Sequence, residues 1–97
     1  MLQEYHFLIL YWIAKAESRK ARYNITNAYD DLKFQKITRT KQNAVAYVES
    51  LSTLHFVSVV EQHNRKNLYI TAYGAKALEL LNSRHKYSLK PSNFLEG

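Results

Sequence analysis

Between Lys33 and Val48 four cations, Lys33, Lys36, Arg39 and Lys41, occur with no acid among them, and two amides, Gln42 and Asn43, follow directly. A second basic run, "HNRKN", carries His63, Asn64, Arg65 and Lys66. With a net charge of +6 and a pI near 9.6, such clusters face an anion, which nucleic acid, an anionic lipid or an acidic protein could supply. Catalytic chemistry finds little here. There is no Gly-rich phosphate loop and no His-Glu-x-x-His, and the one pair of adjacent carboxylates, Asp30-Asp31, reads as helix-start charge. His6, His55, His63 and His85 are scattered, and the chain has no cysteine, so neither an enzyme, nor a metal site, nor a cofactor is expected.

The elements that must position these residues come from periodicity. The chain has 97 residues, the size of one domain. Its apolar run "FLILYWIA", Phe7 to Ala14, is preceded by Glu4 without Lys or Arg, and it falls far below the roughly 20 residues that cross a bilayer, so it reads as a buried helix. From Leu2 to Glu17 the residues Leu2, Tyr5, Ile9, Trp12, Ile13 and Ala16 share one face. Phe7, Tyr11 and Ala14 form a second apolar face nearly opposite, expected to be covered by another subunit; the alternative is that the C-terminal segment folds back over it.

After the connector "ESRKAR", Tyr23 to Ile25 suits a short strand, and Thr26 or Asn27 an N-cap with Asp30 and Asp31 in the first turn. Ala28, Leu32 and Ile37 would point inward. Thr38 is the expected cap of a helix over Arg39–Leu54, with Ala44, Tyr47, Val48, Leu51 and Leu54 inward and Arg39, Gln42, Asn43, Ala46, Glu49, Ser50 and Thr53 outward. Phe56–Gln62 and Leu68–Tyr73 read as a hairpin with "HNRKN" at its tip, and Gly74 as a break. A last helix runs over Ala75–Arg84 with Ala77, Leu78 and Leu81 inside, before an extended or partly disordered tail. The class is mainly α with a small β-hairpin, α+β.

Helix, short strand, helix, helix, hairpin, helix is the order of a winged helix-turn-helix, and Thr38 to Leu81 resembles the recognition helix, wing and following helix of MarR-like regulators. Leu51, Leu54, Phe56 and Val57 are similar to the family's entry to the wing, "NRKN" resembles its Asp-x-Arg wing tip, and "YITAYGAKALELL" its strand-to-helix junction. His55 stands where the family has glycine, Asn64 stands where it has Asp, and the long dimerisation helices are missing.

The resemblance implies a winged-helix DNA-binding domain over 1–86 and a tail over 87–97. The helix of about 39–54 would lie in the major groove, and the wing of about 56–73 on the backbone or minor groove. Arg39 would fork onto guanine, Gln42 or Asn43 onto adenine, and Ala46 would sit close to a base edge. Lys36, Thr38, Lys41, His63, Asn64, Arg65 and Lys66 would meet the backbone or minor groove. The expected partner is double-stranded DNA, bound by a homodimer spanning successive major grooves about 34 Å apart. Neither a small-molecule ligand nor a membrane enters, and the place of action is the cytoplasm, at the nucleoid. Transcriptional repression by occupancy is the expected outcome. A protein-interaction module using Phe7 and Tyr11, or a non-specific nucleic-acid-binding protein, is the rival reading.

Overall fold

The computed structural model describes residues 2–96; Met1 and Gly97, the outer ends of the two expected segments, lie outside it. Helix α1 (Glu4–Ser18) is the central rod, with Phe7 through Leu10, Trp12, Ile13 and Ala16 all buried. Around it lie α2 (Ile25–Phe34), α3 (Lys41–Thr53), an antiparallel hairpin of β1 (Val57–Gln62) and β2 (Arg65–Ile70), α4 (Ala72–His85) and the single turn α5 (Asn93–Glu96). No helix among the described residues is long and apolar enough to cross a membrane.

The C-terminal segment folds back over the second apolar face of α1, the alternative cover that the sequence offers. Beyond α4 the backbone turns at Lys86, whose φ of 50° is left-handed, and runs back along α1. There the Tyr87 ring lies 5.1 Å from Phe7, the Trp12 indole Nε1 donates to the Lys90 carbonyl at 2.8 Å, and Lys15 pairs with Glu96 at 2.7 Å. Phe7 is therefore 1% exposed, while Tyr11 and Ala14 are half-buried. The tail is docked from Tyr87 to Glu96, directly after α4 ends at His85 and its cap Lys86. A tail without periodicity of its own is ordered by hydrogen bonds to side chains far away in sequence.

Local chemistry sets the helix ends, and several sit elsewhere than capping propensity and periodicity predict. Asn24, not Thr26 or Asn27, caps α2: its Oδ1 accepts from the Asn27 amide at 2.9 Å, and its own amide donates to Asn27 Oδ1 at 3.0 Å, a reciprocal box. Asp30 and Asp31 accordingly lie beyond the first turn. Thr40 caps α3 by accepting from the Asn43 amide at 3.2 Å, whereas Thr38 is buried two residues earlier and Arg39 precedes the helix. Leu54, expected inside, is the C-cap residue and is 49% exposed.

Three helices end without glycine on the same motif. Lys20, Lys36 and His55 all take a positive φ, and the following residue's amide reaches back five residues: Ala21 to Ala16, Ile37 to Leu32, Phe56 to Leu51, at 2.8–2.9 Å. Each motif folds an apolar residue back onto its own helix, so burial of Ala21, Ile37 and Phe56 offsets a left-handed cost of about 1–2 kcal/mol. His55 thus occupies the glycine position by adopting the glycine conformation.

The hairpin is tighter than expected. Gln62 pairs with Arg65, leaving His63 and Asn64 as a two-residue turn with φ of 52° and 64°, the signature of type I′. Arg65 and Lys66 therefore belong to β2 rather than to the tip. The expected strand at Tyr23–Ile25 is reduced to one bridge, Asn24 to Asn67, beside which the Leu68 amide donates to the Tyr23 carbonyl at 2.7 Å. Gly74 does not break α4 but lies in its first turn, its amide donating to the Thr71 cap at 3.0 Å.

At the start of α1 the Gln3 amide donates to His6 Nδ1 at 2.9 Å, which requires that nitrogen to be unprotonated. Burial holds the His6 pKa below its ordinary value. The unfolded chain then binds more protons than the folded one in the window below about pH 6.5, so stability falls as pH drops through that window and is retained above it. Urea midpoints between about pH 7.5 and 5 are expected to show this fall in the native chain, and less of it in His6→Gln.

Candidate nucleic-acid interface

The outward face of α3 follows from its inward one. Ala44, Val48 and Leu51 are buried against α1 and the hairpin, which leaves Gln42, Asn43 and Ala46 exposed, with Lys41 at the helix start. Arg39 is exposed in the preceding bend, where its carbonyl accepts from the Tyr29 hydroxyl at 3.4 Å. The cations of this region are free: the ion pairs among the described residues are Lys15–Glu96, Arg19–Glu96 and Lys90–Glu4, and none involves Lys33, Lys36, Arg39, Lys41, Arg65 or Lys66.

A groove of about 500 Å³ separates the start of α2, the start of α3 and the hairpin. Lys41, Asn64, Arg65 and Lys66 line it together with Thr26 and Asn27, and Lys41 Nζ reaches across to Thr26 Oγ1 at 3.4 Å. Glu61, the cross-strand neighbour of Lys66, is its one acid. On a strand, neighbouring side chains leave on opposite faces, so Arg65 and Lys66 diverge. Arg65 also lines a second groove of about 380 Å³ with Arg22, His63 and Phe94. The hairpin is thus flanked by cations on both faces.

Ala46, Lys36 and Thr38 stand apart from this cluster, and Arg39, Gln42 and Asn43 line none of the three grooves. Ala46 shares the outward face of α3 with Gln42 and Asn43 but opens onto another groove, of about 800 Å³, lined with Glu49, Leu54 and Leu2. Lys36 is exposed at the end of α2, outside the lining of all three grooves. Buried Thr38 spends its hydroxyl on the Thr40 backbone at 3.4 Å and shows no surface for a ligand. Among the described residues no group of three or more His, Asp or Glu side chains is placed to share a metal ion.

One residue that matters to this geometry gave no local signal. Asp31, read as helix-start charge, is fully buried and accepts from the Tyr23 hydroxyl at 2.5 Å, the Ser92 hydroxyl at 2.5 Å and the Phe94 amide at 3.0 Å. Burial, and then the adjacent carboxylate, push the Tyr23 phenol far above its ordinary pKa, so it stays a donor. Compared with known proteins, the chain matches no family model, no curated protein and no solved structure.

Proposed function

We propose that the chain is a winged helix-turn-helix protein, MarR-like in organisation, that binds specific duplex DNA as a homodimer and regulates transcription, by repression through occupancy. The observation that carries this reading is that Lys41, Arg65 and Lys66, from a helix and a hairpin and in no ion pair of the described residues, all line one groove beside the exposed amides of α3. A helix whose outward N-terminal half carries Gln42 and Asn43, with Arg39 in the bend just before it, suits base-edge readout in the major groove, and cations on an adjacent hairpin suit phosphates. On this reading α3 is the recognition helix, β1 and β2 form the wing, Ala46 lies against the bases, and Lys36, His63 and Asn64 flank the backbone. Thr38, being buried, drops out of the contact set.

With α1 covered by the tail, the dimer contact falls to α4, whose Tyr73 and Leu80 are 72% and 60% exposed. The protein then acts in the cytoplasm at the nucleoid, without catalysis and without a cofactor. The test is a salt titration of duplex binding. The reading expects log K to fall linearly with log salt, with a slope of about 0.9 for each phosphate met. Absence of duplex binding at low salt would overturn it.

A further inference from the structure

The buried Asp31 carboxylate joins two parts of the chain, the docked tail and Tyr23. On one side it holds the tail, through the Ser92 hydroxyl at 2.5 Å and the Phe94 amide at 3.0 Å. On the other it holds the Tyr23 hydroxyl at 2.5 Å. Asp31, Ser92 and Tyr23 are at most 1% exposed, and Asp31 takes part in none of the ion pairs of the described residues. A buried carboxylate without a cation depends on its full set of donors, so loss of one from the tail leaves it short and reorganises the others.

The set leads directly to the hairpin. Tyr23 is the residue whose carbonyl accepts from Leu68 of β2 at 2.7 Å, and its neighbour Asn24 forms the bridge to Asn67. Arg65 and Lys66 stand on that same strand, immediately before Asn67. The Phe94 ring lies 6.0 Å from the Tyr23 ring, edge to face, and lines the groove that Arg65 and Arg22 share. Short contacts thus run without a gap from the tail through Asp31 and Tyr23 to the strand with the free cations.

We propose that Asp31 is a positioning residue: by clamping the docked tail against Tyr23 it holds β2, and with it Arg65 and Lys66, in the orientation in which they meet DNA phosphates. The functional half of this statement rests on the DNA-binding reading; the mechanical half does not. Asp31 touches no ligand itself. The tail is then more than a cover for α1, because undocking it loosens the hairpin.

The experiment uses the full chain with Asp31→Asn and, as a milder change, Ser92→Ala. Amide hydrogen exchange is measured without DNA at Leu68, which bonds to Tyr23, and at Val48 in the core of α3, which reports global opening. Both variants are expected to speed Leu68 exchange by about tenfold more than Val48 exchange, the pattern of local rather than global loosening. Duplex affinity is expected to fall about tenfold with a salt slope lower by roughly one or two. Equal acceleration at Leu68 and Val48, or an unchanged Leu68, would overturn the coupling. An unchanged affinity and slope despite a loosened Leu68 would overturn the positioning role. If the native chain binds no duplex, the DNA reading fails alone, and exchange still decides the coupling.

Discussion

Gly74→Ala is expected to destabilise the protein by at least about 3 kcal/mol, although alanine is favoured over glycine in a helix by about 1 kcal/mol. Glycine is required here by a backbone approach and not by an unusual dihedral angle. A Cβ at this position would overlap the Phe56 carbonyl oxygen and come within 2.9 Å of both the Phe56 carbonyl carbon and Ile70 Cγ1. The first of these is backbone, held in place because the same oxygen accepts from the Thr71 amide at 3.1 Å. Relief would require α4 to move away from the corner between α3 and β1, opening the contact that seats Ala77, Leu78 and Leu81 on the core. For a chain of this size the loss corresponds to a fall in melting temperature of roughly 12–24 °C, read by calorimetry. A rise in melting temperature would mean that the close approach is absent in solution.

The second large effect is on binding. Replacing Lys41, Arg65 and Lys66 together by alanine is expected to reduce the salt slope of duplex binding by about 2.7 and the affinity at about 0.15 M salt by about 100-fold, from a release of about 0.9 counterion per phosphate contact. Stability should move by less than about 0.5 kcal/mol, because all three side chains are exposed and none is ion-paired. The contrast between a large binding loss and an intact fold separates an interface from a scaffold. Triple replacement without change in slope would remove this groove from the DNA contact, whatever else the protein binds.

The gross architecture was legible where one face of an element meets the core. The outward set on α3 could be read because Ala44, Val48 and Leu51 repeat at helical spacing, and the hairpin because two β-rich segments flank a short polar turn. Helix starts were less legible. Thr38 and Thr40 are equally competent caps, as are Asn24, Thr26 and Asn27, and the choice depends on which residue the core buries. Gly74 looked like a break because local propensity is all that a sequence shows of it, while its actual constraint lies at Phe56, eighteen positions earlier. The second apolar face of α1 was visible and the C-terminal segment was one of its two expected covers, but how the tail docks was not legible, since it has no periodicity and is held by long-range hydrogen bonds. Asp31 was unreadable for the same reason: its partners lie 8, 61 and 63 residues away.

The central claim is that the outward face of α3 reads base edges. Its most direct test is selection from a random duplex pool at about 150 mM salt, where non-specific phosphate binding is suppressed, with the native chain and an Arg39→Ala/Asn43→Ala variant run in parallel. The account predicts that the native chain enriches a two-fold symmetric motif and that the variant loses the preference at discrete positions, each worth roughly 1–3 kcal/mol. Binding by the native chain with no enriched motif, or the same motif from both proteins, would contradict it.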